Sequence, residues 1–426
     1  MELSTQFTSY LQHVGEVMGR AERRVGLQDY CRALMLPLKR KSIEPLAAAI
    51  DPQHVRSMHQ SLHHFVADSP WSDEAVLGAV QSWVLPKMAS GNDALTFLIA
   101  DDSGMPKQGE HSVGVARQYC GQLGKTDNCQ VAVSLSVATE HASLPIKYRL
   151  YLPQSWIDDP KRGKAAGVPA DVQFATKPQI SLQQIRQAKQ AGIPGDVVAA
   201  DAGYGDDSAY RDGITELGLL YVVGIKPQTS VWACATTGAR SPKSARSPGK
   251  HIGAPVSVKE LALSLKPSEL RKLTWREGTN TKLSSRFAAL RVRAAHRSTQ
   301  HSAPREEEWL LIEWPKGESE PTKYFLSTLP VDISRKNLVA MVKIRWRIER
   351  DYQELKQEFG LGDFEGRNWR GFHHHATLCI AAYGFLISER LVRGADTKKN
   401  CAFRTQPALP KGLVPRGASA SSATRH

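Results

Sequence analysis

Hydrophobic spacing divides the chain into three textures. Up to about residue 90, apolar residues recur at helical intervals and mix with basic ones, as in RAERRVGLQDYCRALM and EPLAAAIDPQHVRSMHQSLHHFVAD, which predicts a set of helices. From residue 95 the pattern shortens. LTFLIADDSG is an apolar run that ends on two carboxylates, while QVAVSLSVAT (130–139) and LPIKYRLYLP (144–153) alternate and are rich in β-branched or aromatic residues. These predict three successive strands, as antiparallel neighbours. SLQQIRQAKQAG (181–192) then reads as a helix, GDVVAADAGYGDD (195–207) as a strand closing at Asp201, DSAYRDGITELG as a helix and LLYVVGIK (219–226) as a fifth strand. Strands followed by helix, strand, helix and strand describe a mixed α/β sheet with a parallel portion. Residues 227–330 form a third texture, a mostly β insertion with strands in FAALRVRAAH, EEWLLIEWP and TKYFLSTLP and a Ser/Pro/basic loop at 241–250. Beyond it, Asn337 to Phe359 contains no proline or glycine, and Leu338, Met341, Ile344 and Ile348 line one stripe, which predicts a long helix. The Pro/Gly/Ser/basic run at 396–426 predicts a disordered tail. The expected organisation is therefore a helical domain at 1–92, an α/β domain built from 93–226 and 331–395, the insertion at 227–330, and the tail.

Three acids stand at distinctive places in this pattern. Asp102 and Asp201 each close a predicted strand, and strand ends in such sheets converge on ligand-binding crevices. Glu349 lies on the long helix, with Arg345 one turn before it and Lys356 about two turns after it. By itself that helix reads as a solvated face of ion pairs. With the two strand-end aspartates, three carboxylates become available, the oxygen donors that hard cations such as Mg²⁺ take. Two such ions suit phosphodiester chemistry. Asp101 neighbours Asp102, and strand alternation sends the two side chains to opposite faces, so only one is expected to be a ligand.

Charge narrows the partner. Lys and Arg number 56 against 42 Asp and Glu, a formal net charge of +14, which points to a polyanion and most simply to nucleic acid. No apolar run approaches the ~18–20 residues that span a bilayer, so a membrane partner is not expected. The N-terminal MELSTQFTSYLQHVGEV has no cationic region before an apolar block and does not read as a signal peptide, so an intracellular protein is expected. The six cysteines are scattered without a C-x-x-C pair, which disfavours zinc fingers and a disulfide framework.

The constellation resembles the DDE transposases of bacterial insertion sequences, specifically the branch with a β-rich insertion and a Y-x2-R-x3-E-x6-K signature. Here that signature falls on Val342, Arg345, Glu349 and Lys356, with WRIE at 346–349. Valine replaces the tyrosine, so its hydroxyl is absent or supplied from elsewhere; Tyr352 is a substitute only from one turn too far along. Asp102 in IADDSG and Asp201 in AADAGYG match the first and second acidic positions, and the similarity covers roughly residues 95–390. The resemblance implies a ribonuclease H-like fold with a β-rich insertion, preceded by an N-terminal helical domain. It implies Asp102, Asp201 and Glu349 as catalytic metal ligands for Mg²⁺ or Mn²⁺, two ions in all. It implies cleavage of transposon-end DNA and transfer of the 3′-OH to target DNA, by a cytoplasmic, nucleoid-associated bacterial protein that acts as a homodimer on double-stranded DNA. A ribonuclease H-like nuclease without strand transfer and a domesticated, non-catalytic DNA-binding protein are the rival readings.

Further residues are expected to hold DNA. Arg345 and Lys356 flank Glu349, and Lys39, Arg40 and Lys41 form a basic turn between helices. Arg117 and Lys125 sit in ARQYCGQLGKTDNCQ, read as a loop; its GKT lacks the leading glycine of a phosphate-binding loop, since Tyr119 stands there. Arg367 and Arg370 lie in RNWRG, and Tyr324 is a candidate for stacking a flipped base, with Trp309 and Trp314 as competitors and core packing as the alternative for each. His373, His374 and His375 are adjacent on a helix and fan out around it, so packing or DNA contact is expected rather than chelation of one ion.

Overall fold

The computed structural model describes residues 3–89, 95–234, 254–277, 282–295 and 305–396; the predicted loop at 241–250 and nearly all of the predicted tail lie outside them. The chain forms two compact units. The first contains the N-terminal helices α1 (Leu3–Gly15), α2 (Ala21–Leu34), α3 (Ile43–Ile50), α4 (Val55–His63) and α5 (Asp73–Met88), then strands β1 (Phe97–Pro106, from Leu98), β2 (Ala116–Cys120), β3 (Lys125–Ala138) and β4 (Ser143–Leu150). Short helices α6 (Gln154–Ile157) and α7 (Pro160–Ala165) lead to α8 (Lys177–Gln190). The second unit holds β5 (Val197–Ala200), α9 (Ala202–Gly205), α10 (Ser208–Glu216), β6 (Leu220–Ile225), β7 (Ser230–Ala233), β8 (Val256–Ser257), α11 (Val258–Leu263), β9 (Arg271–Glu277), β10 (Lys282–Ala294), β11 (Glu308–Glu313), β12 (Lys323–Ser327) and α12 (Arg335–Val342). Helices α13 (Trp346–Gln357) and α14 (Trp369–Asp396) return to the first unit.

The result is the mixed α/β class with N-terminal helices that the element order predicted, consistent with a ribonuclease H-like fold. In the first unit, β3 lies between β1 and the antiparallel β2 and β4, which pair with its early and late residues. Residues 116–130 are thus a hairpin rather than the expected loop. Positive φ at Gly124 (+64°) closes its turn, and Cys120 and Cys129 bury its inner face. In the second unit β5 and β6 are parallel, as the alternation of strands and helices requires, and the insertion continues antiparallel in the order β6-β12-β11-β10-β7-β8, with β9 paired to β10.

The core of the first unit is threaded by α14. Its residues Ala376, Leu378 to Ala382 and Phe385 are buried, and it packs against α2, α5 and β4. Tyr10 donates to the Ala381 carbonyl at 2.7 Å, and Trp71 stacks on His374 with ring centroids 3.5 Å apart. The three adjacent histidines do point apart. His373 meets the Leu150 amide, His374 lies by the Val66 and Trp71 carbonyls, and His375 meets Tyr30 Oη at 2.8 Å and the Gly360 carbonyl at 2.9 Å. Burial pushes all three below the usual histidine range, His374 and His375 to about 4.

The helix expected across 337–359 is broken. α12 ends at Val342, a 3₁₀ turn spans Lys343–Arg345, and α13 begins at Trp346, where the chain passes from the second unit to the first. Tertiary contacts override a permissive sequence here. Lys343 is drawn to Glu313 Oε2 at 2.6 Å and sits 4.5 Å over the Trp275 ring, while Ile344 is buried. Among the described residues no helix is long and apolar enough to cross a membrane.

Candidate active site

In the first unit, β1 carries the apolar run Leu98–Ala100 into the core and then surfaces partly at Asp101 and Asp102. Asp102 Oδ2 lies 2.9 Å from Lys177 Nζ. Lys177 is placed there by the start of α8, where Thr176 and Gln179 form a reciprocal cap and Pro178 occupies the first turn. The apolar pattern starts this helix only at Ser181 and leaves Lys177 out; the Thr-Lys-Pro sequence is the signal for the earlier start. Asp101 has other neighbours. Its side chain accepts the Asp102 amide at 3.0 Å, its carbonyl accepts the Ser134 hydroxyl, and its charge is felt by Tyr352 and Lys356 of α13.

α13 buries Ile348, Asp351, Tyr352 and Leu355 and leaves Glu349 exposed. Lys356 donates to the Gly104 carbonyl of β1 at 3.1 Å. Burial lowers its pKa, opposed by Cys120, Asp101 and Asp102, so the signature lysine stands beside the acid-bearing end of β1. Gly104 is required for close packing there, because a Cβ would come 2.9 Å from Cys120 Sγ. Asp351 is pushed up to about 6 by burial, with hydrogen bonds from Ser143 and Tyr383 acting the other way. Glu354 is committed to Arg350 and Arg390, at 3.2 and 2.7 Å.

The second unit presents Asp201 at the end of β5. Its Oδ1 caps α9 by accepting the Gly203 amide at 2.8 Å, and its carbonyl accepts the Gly205 amide at 2.8 Å. Gly205 and Gly224 let this turn lie against β6; a Cβ on Gly205 would collide with the Gly224 carbonyl and Val223. The donors fit a hard divalent cation in kind. All three are carboxylates and none is deeply buried, and Asp102 already holds a cation in the Lys177 ammonium. Among the described residues no group of three or more metal-ligating side chains is gathered.

A family model described as DDE superfamily endonuclease matches residues 9–282. The chain belongs to this superfamily. It is also 30% identical over 190 residues to a probable transposase for insertion sequence element IS701 from Microchaete diplosiphon. That match spans 44% of this chain and 45% of the relative, less than half the length of each. The resemblance to insertion-sequence DDE transposases is thereby borne out, in a superfamily that generally works with divalent metals.

For a DDE endonuclease, the remaining expected residues divide by exposure. Lys39, Arg40, Arg117, Lys125, Arg367 and Arg370 are exposed. Several already have partners: Arg40 pairs with Glu365, Lys125 with Asp127 at 3.0 Å, and Arg370 donates to the Asp68 carbonyl at 2.8 Å. Arg345 is half-buried in the 3₁₀ turn before α13. Lys41 is a correction. It is 4% exposed and donates to the Leu34 and Leu36 carbonyls at the end of α2, so its charge closes a helix instead of facing solvent. Tyr324 is another, since it is 3% exposed on β12 and its ring has no open face for a base. Trp309 is half-buried under Arg291, and Trp314 donates to the Glu318 carbonyl.

Proposed function

We propose that this DDE endonuclease is an insertion-sequence transposase that binds transposon-end DNA, cuts it and joins the freed 3′-OH to target DNA. The observation that carries the reading is the seating of Lys356 on β1 beside Asp101 and Asp102, in a chain whose similarity includes an insertion-sequence transposase. Asp102, Asp201 and Glu349 would hold Mg²⁺ or Mn²⁺, as two ions. A divalent metal held by these carboxylates would supply positive charge for the phosphate oxygens and for the attacking oxygen. The protein's own groups do the rest. Lys356 and Arg345 grip the phosphates flanking the cut, Lys177 holds Asp102 in one rotamer and shields its charge before DNA arrives, and the cap on Gly203 fixes the orientation of Asp201. Lys39, Arg40, Arg117, Lys125, Arg367 and Arg370 add backbone contacts, the helical segment 1–92 contributes to end binding, and two copies assemble on the DNA.

The test incubates the purified protein and Mg²⁺ with duplex DNA carrying the repeats that flank its gene. Cleavage at the repeat ends and joining to a target plasmid are expected, with Asp201→Ala at least about 10³-fold slower. Equal rates for wild type and Asp201→Ala, or no cutting at all, would overturn the reading. Cutting that never leads to joining would replace it with a hydrolytic nuclease.

A further inference from the structure

The second unit contains a buried charge network that the proposed reaction does not use directly. Arg211 on α10 is 1% exposed, and its Nη1 donates to the carbonyl of Gly205, the last residue of α9. Asp201 caps the other end of that same turn. Among the described residues Arg211 Nε and Nη2 have no hydrogen-bond partner, and Glu308, 4% exposed on β11, feels the Arg211 charge while burial pushes its carboxyl above the usual range. Tyr221 of β6 donates to Glu308 Oε2 at 2.6 Å, and Arg305 and Arg291 add further positive charge around it. Arg305 is itself tied to Asp212, the residue after Arg211, through both carboxylate oxygens.

A buried guanidinium and a buried carboxylate are each expensive to desolvate unless they balance one another. An apolar pair would fill this space with less risk. What the charged donor adds is strength and direction, because a charge-assisted hydrogen bond holds the carbonyl that α9 has no further turn to satisfy more firmly than a neutral donor would. The grip falls on a turn of four residues packed against β6 with no room for a side chain at Gly205 or Gly224. Fixing the carbonyl at one end fixes the capping aspartate at the other.

We infer that Arg211 and Glu308 are positioning residues for Asp201, through which the first strand after the 296–304 segment of the β-rich insertion holds the acid-bearing turn in place. This rests on the reading of Asp201 as a metal ligand. Displacing a reacting group by about 1 Å can cost on the order of 10²-fold in rate, so the effect is measurable.

The experiment compares the full-length wild type with the double variant Arg211→Met/Glu308→Leu, which removes both charges together, and with Glu308→Gln, which keeps an acceptor for Tyr221. Hydrogen exchange of the peptide covering Asp201–Gly205 is read alongside the thermal midpoint, DNA binding and Mg²⁺-dependent cleavage. The double variant is expected to melt near wild type and to bind DNA equally. Its turn should exchange about tenfold faster and its cleavage fall about 10²-fold, with Glu308→Gln between the two. Unchanged exchange at the turn, or wild-type cleavage, in whichever of the two variants folds would overturn the inference. Wild-type protein that fails to cut, or Asp201→Ala that cuts normally, would sink the transposase reading instead, while the exchange data would still judge the grip of Arg211 on its turn.

Discussion

Adjacent carboxylates on one strand end take different partners, and the chemistry depends on which is which. Asp102 is held by Lys177 at the start of α8, whereas Asp101 is felt by Tyr352 on α13; the charge of Lys356 feels both. The Lys177 contact favours Asp102 as the cation-binding group, because an ammonium already sits where a carboxylate meets positive charge. We therefore expect Asp102→Asn to slow Mg²⁺-dependent cleavage by at least about 10³-fold and Asp101→Asn by no more than about tenfold, measured as single-turnover rates on end DNA. The reverse ranking would move the assignment to Asp101. At this scale the sequence showed residue types and their spacing, and it failed where burial decides the role. Lys41 lies in a run of three cations that looks solvated, yet two helix-end carbonyls and Asp363 pull it inside. Tyr324 alternates as a β-strand residue should, but alternation does not say whether a face is open or covered. Arg211 had no signal at all, since one arginine in DSAYRDGITELG reads as a surface residue until its helix is packed.

Elements were legible wherever local pattern and tertiary context agree. β5, β6, β11 and β12 fall within predicted strands, and β1, β3, β4 and β10 overlap theirs but run past them at one end, because β-branched alternation and buried runs survive packing while strand ends are set by pairing. The sequence predicts a loop at β2 because ARQYC is short and polar on its outer face, and its pairing comes from β3. The break at Lys343–Arg345 was invisible for the same reason: the Glu313 and Trp275 that capture Lys343 are distant in sequence. α14 yields a prediction that belongs to the element as a whole. His374 and His375 are buried with folded pKa values of about 4, against an ordinary 6.5, so between these values the unfolded chain binds more protons than the folded one. Their contribution to stability is complete above pH 6.5 and is lost as pH falls towards 4, by up to about 1.4 kcal/mol per pH unit for each. Urea denaturation at steps from pH 7.5 to 5 should show this slope, and His375→Gln, which can still meet Tyr30 and the Gly360 carbonyl, should make it shallower. Parallel slopes for the two proteins would show that His375 does not titrate on unfolding.

For the molecule as a whole, charge is the property most directly tied to a partner. The chain carries a formal +14, and the residues proposed to contact DNA are exposed on several elements: Lys39 and Arg40 after α2, Arg117 and Lys125 on the β2–β3 hairpin, and Arg367 and Arg370 at the start of α14. Many of these side chains already have protein partners, such as Glu365 for Arg40 and Asp127 for Lys125, and such exposed pairs are worth little in water. They can be exchanged for phosphates at small cost, which suits a surface that must hold DNA without reading its sequence. Each phosphate neutralised releases condensed counterions, so binding should weaken steeply with salt, with a slope of about −0.9 per contact in log K against log salt. If six or more of these cations engage, affinity for any duplex should fall by about 10³-fold between 50 and 200 mM salt, as followed by fluorescence anisotropy. The double variant Arg117→Ala/Lys125→Ala should flatten that slope by about two contacts and leave the thermal midpoint unchanged, because both side chains are exposed. Lys41→Met should do the opposite: it removes a buried helix-end donor, lowering stability while leaving the salt slope as it was. A flat salt response in the wild type would mean that the positive charge is not spent on DNA, and an equal loss of slope in Lys41→Met would return that residue to the DNA-binding surface.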